Sequence, residues 1–465
     1  MPVICLTSER VFEVSSAPSS ANAKPEVSKK DLYKAFTASL SGTTLEWYDF
    51  AIYSAAAAIV FPQLFFPTDD PMTGVLLAFS TYAVGYISRP VGGIVFGRLG
   101  DRVGRKNILV WTLILIGIAT VLIGLLPTYA QIGVIAPIIL VLLRFAQGVG
   151  VGGEWGGAVL LSGEYGEPER RGFWSSAAQI GPPAGNLLAN GAFALLSLLL
   201  TNEQFMTWGW RVAFLVSAVL VAFGLWIRLK LEDTPVFRAV EESGDKPEKP
   251  ITELLKSEPK QLLSAILSRI GPDVTYALFT VFTLAYGTLV LDLERTMVLS
   301  AVMIGSVFQL VCIPLAGHIS DKINRRWVYG ASAVAAAVWG FIFFLLLHTN
   351  PTFWMYVGIP IGLFFHSFMY GPQAAFVIEQ FHPRLRYTGA SLAYTIAGVL
   401  GGAIAPAMFT LLLDKTGTWI FVAVYLAVAC SITIIGLVMG RDNNVEEDYE
   451  YLESIHKTRP VIAAD

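Results

Sequence analysis

Read for its apolar positions, the chain is a succession of long hydrophobic runs broken by short polar loops. A helix needs about 20 apolar residues to cross a hydrocarbon layer. Runs of that order fall at 36–62, 73–96, 107–127, 132–163, 172–200, 208–230, 261–290, 296–317, 327–348, 353–378, 387–413 and 417–440. They predict an all-α membrane protein with twelve transmembrane helices in two pseudo-symmetric six-helix bundles. One long polar interval, 231–260, separates the sixth run from the seventh. It contains Glu241-Glu242-Ser243-Gly244-Asp245-Lys246-Pro247 and reads as a charged linker with an amphipathic segment. The predicted layout is a disordered tail at 1–34, a bundle at 35–230, the linker at 231–260, a second bundle at 261–440 and an acidic tail at 441–465. The first 34 residues hold no apolar stretch, so no cleaved leader is expected.

Composition narrows the picture. Hydrophobic residues make up 54% and charged residues 14%, where an ordinary soluble domain carries roughly 25% charged. A soluble enzyme, a nucleic-acid binder and a disordered scaffold are disfavoured, and the partner implied is the lipid bilayer. The net charge of −3 gives no reason to expect a polyanion. The three cysteines, Cys5, Cys312 and Cys430, have no metal or redox spacing,, and no cofactor is expected. Charge also sets orientation. With the N-terminus inside, the loops and tails on that side hold 26 Lys and Arg, against two, Arg295 and Lys415, on the other. The positive-inside rule then places both termini and the linker in the cytoplasm, in a multi-pass protein of the cell's inner (cytoplasmic) membrane.

Two internal echoes support duplicated halves. Gly97-Arg98-Leu99-Gly100-Asp101-Arg102-Val103-Gly104-Arg105-Lys106 follows run two, and Gly317-His318-Ile319-Ser320-Asp321-Lys322-Ile323-Asn324-Arg325-Arg326 follows run eight. Glu164, Pro168 and Arg171 echo Glu379, Pro383 and Arg386. Such repeats fit halves related by an axis along the membrane normal.

The loop Gly-x-x-x-Asp-Arg-x-Gly-Arg-Lys resembles the signature of the major facilitator superfamily, and the resemblance covers about 35–440. Within it, Glu46-Trp47-Tyr48-Asp49-Phe50, Arg89-Pro90-Val91-Gly92-Gly93, Arg144-Phe145-Ala146-Gln147-Gly148, Gly152-Gly153-Glu154-Trp155-Gly156-Gly157, Trp208-Gly209-Trp210-Arg211 and Arg386-Tyr387-Thr388-Gly389-Ala390-Ser391 resemble the metabolite–proton symporters. That family includes permeases for shikimate, 2-oxoglutarate, citrate, and proline or betaine. The register of Arg269 is most similar to the shikimate permeases. The second loop departs from the signature at Asn324, which stands where the first has Gly104, so a looser turn is expected there.

Basic loops alone would serve topology, but Gly97, Gly104 and Asp101 at fixed spacing, repeated in part, need another reason. A carboxylate there can accept from a neighbouring helix N-terminus or from an arginine. Gly97, Asp101, Arg102, Gly104, Arg105, Glu164, Arg171, Asp321, Arg325, Glu379 and Arg386 are therefore expected to hold the cytoplasmic side closed.

An ionisable group at mid-membrane costs a few kcal/mol and calls for a function. Asp49, with Glu46 one turn before it, lies near the middle of run one, and Arg144 near the middle of run four. Run seven carries Arg269 and Asp273, and run ten carries His366. These are the first helices of four three-helix units, expected to line one central cavity. Tyr53 shares the face of Glu46 and Asp49, Gln147 that of Arg144, and Tyr370 and Gln373 that of His366. The Gly271-Pro272 pair is expected to break run seven and free backbone groups beside its charges. Asp49, with Glu46 and Asp273 as alternatives, is expected to couple protons. Tyr48, Tyr53, Arg89, Arg144, Gln147, Gln179, Arg269, His366, Tyr370 and Gln373 are expected to bind substrate. For Arg89 the resemblance to 2-oxoglutarate permeases implies contact with a carboxylate. The string Gly148-Val149-Gly150-Val151-Gly152-Gly153 mimics a dinucleotide fingerprint, but no strand precedes it, and Gly148/Gly152 and Gly153/Gly157 are spaced for close helix contact.

The expected function is proton-coupled uptake of a small polar metabolite, a carboxylate such as shikimate, by a monomer that is not an enzyme. A uniporter or exchanger, and a permease for proline or betaine, are the rivals within transport. A transporter-like sensor would need an output domain, for which the tails are too short. Orientation can be checked directly. With Lys246→Cys in an otherwise cysteine-free chain, a membrane-impermeant maleimide should not label intact cells and should label them once they are permeabilised. Efficient labelling from outside would reverse the topology.

Overall fold

The computed structural model describes residues 29–93, 95–96, 105–152, 159–160, 162–163, 168–229, 250–383 and 385–441. Gly97, Asp101, Arg102, Gly104 and Glu164 lie outside them, as do residues 1–28, 230–249 and 442–465; the first helix already begins at Lys29, so the end of the tail expected to be disordered to residue 34 is helical. Among the described residues there are no strands and twelve long helices. In the first half these are α1 (Lys29–Ile59), α2 (Pro71–Ile87), α3 (Arg105–Leu125), α4 (Ile135–Val151), α5 (Arg171–Leu199) and α6 (Asn202–Trp226). In the second they are α7 (Pro259–Val290), α8 (Arg295–Lys322), α9 (Arg325–Leu347), α10 (Pro351–Glu379), α11 (Arg386–Thr416) and α12 (Ile420–Met439). A short amphipathic helix, Pro250–Ser257, buries Leu254 just before α7.

Burial is inverted relative to a soluble protein. Trp111, Leu142, Val219, Val311, Leu345 and Val438 are exposed, whereas Glu46, Asp49, Arg89, Arg144, Gln179 and Arg269 are buried. Seven helices, α6 to α12, carry an 18-residue stretch apolar enough to span a membrane. Helices α1 and α5 are as long but bury polar residues, among them Asp49, Gln179 and Asn190. They form the inner wall, where sequence hydropathy is diluted by function.

The halves repeat one packing scheme. In the first, α1 packs on α5 and α6, α3 on α4 and α6, and α2 on α4. In the second, α7 packs on α11 and α12, α9 on α10 and α12, and α8 on α10. The halves join through α5 on α8 and, symmetrically, through α2 on α11.

Lipid supplies no hydrophobic drive for helix association, so small residues that let backbones meet set these contacts. A Cβ built on Gly148 of α4 would collide with Ser88 Oγ and the Gly85 carbonyl at α2. One on Gly152 would strike the Arg89 carbonyl, and one on Gly92 the Val149 carbonyl. Gly148 and Gly152 thus make the close helix contact their spacing implies.

The Gly271-Pro272 pair does not break α7, contrary to expectation: the helix runs through from Pro259 to Ala277. The Thr433 hydroxyl of α12 inserts into the ladder, accepting from the Gly271 N–H at 2.7 Å and donating to the Leu267 carbonyl at 3.3 Å. Proline cannot donate to the carbonyl four residues back, and that carbonyl, Ser268, accepts from the Tyr329 hydroxyl at 2.7 Å instead. The backbone groups expected beside the charges are therefore satisfied by α9 and α12. The departures from α-helical pitch come later, in π-helical turns at Leu278–Phe282 and Tyr286–Val290.

The α2–α4 contact has a direct test. Gly148→Leu should destabilise the bundle by at least about 2 kcal/mol through overpacking, read as a lower thermal unfolding midpoint in detergent. Gly93→Ala, whose new methyl has nothing within 4 Å, should leave the midpoint unchanged. An unshifted Gly148→Leu would refute the packing.

Candidate functional site

Between the halves lies a small cavity. Trp47 of α1 and Tyr82 and Tyr86 of α2 line one side; Asp273, Tyr276 and Ala277 of α7 and His366 and Tyr370 of α10 line the other. Pro182 of α5 and Gly402 of α11 complete it. Of the four helices expected to share the cavity, α1, α7 and α10 do so. Helix α4 contributes no lining residue, and α2, α5 and α11 do.

The reason is visible at Arg144. Gly85 leaves a gap in α2 that a Cβ would close against the Arg144 guanidinium, and the side chain lies in it, behind the wall. Its guanidinium sits 4.1 Å from the ring centroids of both Phe50 and Tyr53. Nη1 donates to Gln147 Oε1 at 3.0 Å, and Gln147 Nε2 donates to Thr120 Oγ1 at 2.7 Å. Thr120 also lies against Asp49, whose Oδ1 accepts from Ser217 at 2.5 Å. Asp49 thus points toward α3 and α6, within the first half. Tyr48 likewise turns inward, donating to the Ala213 carbonyl at 2.7 Å, and Tyr53 pairs with Thr81 at 2.7 Å.

Arg89 follows α2 directly and is 1% exposed. Its guanidinium lies 4.4 Å from the Phe50 centroid, 4.2 Å from Tyr86 and 5.8 Å from Tyr394. None of its three guanidinium nitrogens has a hydrogen-bond partner among the described residues. Glu46 is buried nearby and interacts with it electrostatically. Phe50 therefore stands between two arginines.

On the second half, Arg269 Nε donates to Asp273 Oδ2 at 3.0 Å, and its guanidinium sits 3.5 Å from the Tyr394 centroid. His366 Nδ1 lies 2.7 Å from Gln309 Nε2. An amide N–H donating to Nδ1 leaves the imidazole neutral with its proton on Nε2. The ring stacks on Tyr370 with centroids 4.9 Å apart. Gln179 Nε2 of α5 donates to the Tyr370 carbonyl and to Gln373 Oε1 of α10, both at 3.1 Å, tying the halves together below the cavity.

Sequence reasoning named Tyr370 but missed three other lining tyrosines, Tyr82, Tyr86 and Tyr276. Tyr82 and Tyr86 are one turn apart, with hydroxyls at 3.1 Å; Tyr276 accepts from Asn186 Nδ2 at 3.0 Å. A hydroxyl-bearing ring inside an apolar run needs a buried partner, and that pairing was the available signal.

At the face that carries the basic loops, the second-half charge cluster is assembled. Asp321 accepts from the Gly172 and Phe173 N–H groups at 2.8 and 2.9 Å, so its carboxylate sits on the N-terminus of α5, where the helix dipole favours an anion,. Arg325 bridges Asp321 at 2.5 Å and forks onto Glu379, with Nε–Oε2 and Nη2–Oε1 both at 2.9 Å. Arg171 of the first half lies 3.8 Å from Glu379 of the second. Gly172 and Gly317 permit this, since a Cβ on either would meet the other's carbonyl. Arg386 donates to the Ile378 carbonyl at 3.0 Å, and Arg105 begins α3. Asn324 does not loosen its turn: its side chain caps α9, accepting from Arg326 N at 2.9 Å. At the opposite face, Arg295 of α8 donates to Asn202 Oδ1 of α6 at 3.1 Å.

Two matched helical halves, a cavity between them lined mainly by aromatic side chains, and a charge cluster that joins the halves across one face define a membrane carrier. The family model of the Major Facilitator Superfamily matches residues 39–406, and the chain belongs to that superfamily. It is 41% identical to the inner membrane metabolite transport protein YhjE of Escherichia coli (strain K12), over 88% of this chain and 94% of that one. It is 37% identical to the shikimate transporter of the same organism, with the same coverage. With the proline/betaine transporter of Salmonella typhimurium the identity is 33%, over 88% of this chain and 83% of that one. The fold aligns with the proton:xylose symporter XylE bound to 6-bromo-6-deoxy-D-glucose at a TM-score of 0.71 and 17% identity, covering 91% of this chain and 99% of that one. The protein is a multi-pass membrane transporter of metabolites and not an enzyme.

The charge cluster predicts an opening phenotype. Asp321→Asn removes a charge-assisted bond and a helix-end anion, a change of about 2 kcal/mol, or roughly thirtyfold in the closed-to-open ratio. A single cysteine at the cavity residue Ala277 should then react with N-ethylmaleimide at least several-fold faster in detergent. Unchanged labelling would show that this cluster does not hold the face shut.

Proposed function

We propose that the protein imports a small organic acid together with a proton, by alternating access, across an inner membrane with both termini in the cytoplasm, and works as a monomer. The observation that carries this reading is Arg89, a buried guanidinium beside the cavity with no hydrogen-bond acceptor among the described residues. A carboxylate is the acceptor that a guanidinium fork fits best. The charge count supports a proton as partner. Arg89, Arg144 and Arg269 face Glu46, Asp49 and Asp273, three against three, all but Asp273 at 3% exposure or less. A carboxylate entering this set leaves one excess negative charge out of water, and one proton removes it. His366 and the tyrosine hydroxyls offer neutral donors for the hydroxyls of such a substrate. The shikimate transporter among the relatives fits this chemistry.

A second reading has its own support. The rings of Trp47, Tyr82, Tyr86, Tyr276 and Tyr370 around the cavity suit a quaternary ammonium by cation–π attraction, and a proline/betaine transporter is also a relative. Uptake of radiolabelled shikimate, 2-oxoglutarate and betaine into proteoliposomes, with and without a pH gradient, separates the two readings. Betaine uptake without uptake of either acid would overturn the first.

Coupling is assigned to Asp49, buried at the end of the Arg144–Gln147–Thr120 chain. Protonated from outside, it loses its charge and the bundle occludes at lower desolvation cost; releasing the proton inside resets it. Asp49→Asn should keep substrate binding and exchange but lose accumulation driven by a pH gradient, with Glu46→Gln less affected. Arg89→Ala should weaken acid binding by about 2–5 kcal/mol. If Asp49→Asn still concentrates substrate as the wild type does, coupling passes to Glu46 or Asp273.

A further inference from the structure

One turn beyond Pro182, α5 buries two asparagines, Asn186 and Asn190. Asn190 Nδ2 donates to the Asn186 backbone carbonyl at 3.0 Å and to Asn186 Oδ1 at 2.5 Å. Its own Oδ1 has no hydrogen-bond partner among the described residues. A buried acceptor left unpaired costs stability, so the use of its nitrogen calls for a reason. A backbone carbonyl can only accept, so the nitrogen of Asn190 is the end that faces it. Asn186 must then turn its oxygen to Asn190 and its nitrogen away, and Asn186 Nδ2 donates to the Tyr276 hydroxyl of α7 at 3.0 Å. Ser306 Oγ of α8 comes within 3.4 Å of the Asn186 oxygen. Gly185, where a Cβ would strike the α1 backbone at Trp47 and Tyr48, seats this stretch of α5.

Tyr276 lines the cavity. Its ring is packed between Trp47, with centroids 6.0 Å apart, and His366, at 5.3 Å, so the hydroxyl is held in place. A phenol oxygen that accepts from an amide has one proton left to give. The hydrogen bond it makes to the Pro182 carbonyl is 3.4 Å long, beyond the usual O–H···O range. That proton is therefore weakly held, at the cavity wall. We propose that Asn186 is a positioning residue: it fixes Tyr276 as a donor, so that this part of the cavity reads a neutral oxygen acceptor on the ligand. The inference rests on the organic-acid reading above and names the class more closely: an acid that bears a hydroxyl or carbonyl oxygen apart from its carboxylate. Without Asn186 the phenol is free to accept or to donate and discriminates less.

The chain from Asn190 through Asn186 to Tyr276 is neutral throughout, so it adds nothing to the balance of buried arginines and carboxylates. Each donor in it polarises the next, which strengthens the bond that Tyr276 gives. Asn186 belongs to the first half and Tyr276 to the second, so their bond exists only while α5 and α7 meet at this level. A ligand oxygen that accepts from Tyr276 therefore also favours the meeting of the halves around it.

The test is calorimetric binding of matched acids to the full chain in lipid nanodiscs at one pH: shikimate against the hydroxyl-free cyclohexenecarboxylate, and 2-oxoglutarate against glutarate. The members of each pair differ only in their neutral oxygens. In the wild type, the oxygen-bearing member of the pair that binds should be at least about tenfold tighter. Asn186→Leu should cut that preference by about tenfold and leave the affinity for the oxygen-free member unchanged. Tyr276→Phe should cut it as deeply, and adding Asn186→Leu to it should cut it no further. Should Asn186→Leu not fold, Asn190→Ala, which lets the Asn186 amide turn over, takes its place and should lower the preference at least about threefold. No preference in the wild type, equal weakening of both members, or full additivity of the paired substitutions overturns the proposal and leaves the acid reading intact. No binding of any of these acids by the wild type overturns the acid reading itself, and the proposal with it.

Discussion

A charge held away from water must be answered by another charge or by an oriented dipole, and the centre of this protein is arranged around that requirement. Even on mild scales an arginine at mid-membrane costs about 3 kcal/mol. Arg269 is answered by Asp273, and Arg144 by Gln147 and the faces of Phe50 and Tyr53. Arg89 relies on the faces of Phe50 and Tyr86, with Glu46 at longer range. An aromatic face offers a cation about 2 kcal/mol when desolvated, less than a carboxylate in hydrogen-bond contact. The three arginines thus form a graded series, from one held in an ion pair to one whose guanidinium nitrogens make no hydrogen bond among the described residues.

The same logic governs the backbone. A proline at position 272 in a membrane helix leaves a carbonyl without its donor, and lipid cannot supply one. Tyr329 and Thr433 supply the missing partners from α9 and α12, so α7 stays helical where it carries Arg269 and Asp273. The i, i+4 geometry of that pair depends on the repair. Glycines do the complementary work between helices, and the tight α2–α4 contact at Gly148 and Gly152 fixes the height at which Arg89 and Arg144 sit.

What was legible in the sequence follows from what is local. The runs were legible because a membrane span is a property of about twenty consecutive residues; run seven, read at 261–290, is the helix Pro259–Val290. The charges were legible because they are rare in such runs, and the second loop because its spacing repeats the first: Asp321, Arg325 and Glu379 meet as one cluster. Facing was less so. Periodicity placed Glu46, Asp49 and Tyr53 on one side of α1, but a buried inner helix has no solvent side, and Asp49 turns to Ser217 while Trp47 turns to the cavity. Which face of an inner helix meets which neighbour is decided by residues more than a hundred positions away. The repair of Gly271-Pro272 by Thr433 is of this kind, and no local pattern announces it.

The cavity wall and the charge cluster are carried by the same helices. Helix α5 begins at the Asp321 latch, passes Gln179 and reaches Pro182 in the cavity wall; α10 runs from His366 and Tyr370 through Gln373 to Glu379. Gln179 and Gln373 join across the halves between cavity and latch. Both helices therefore connect the cavity wall to the Arg171–Glu379 bridge, with Gly371-Pro372 inside the α10 stretch between Tyr370 and Glu379. Each latch bond is a charge-assisted contact of a few kcal/mol at most, while the cavity charges involve energies of the same order. Contacts of that size are within the range that one charge added to or removed from the cavity can offset.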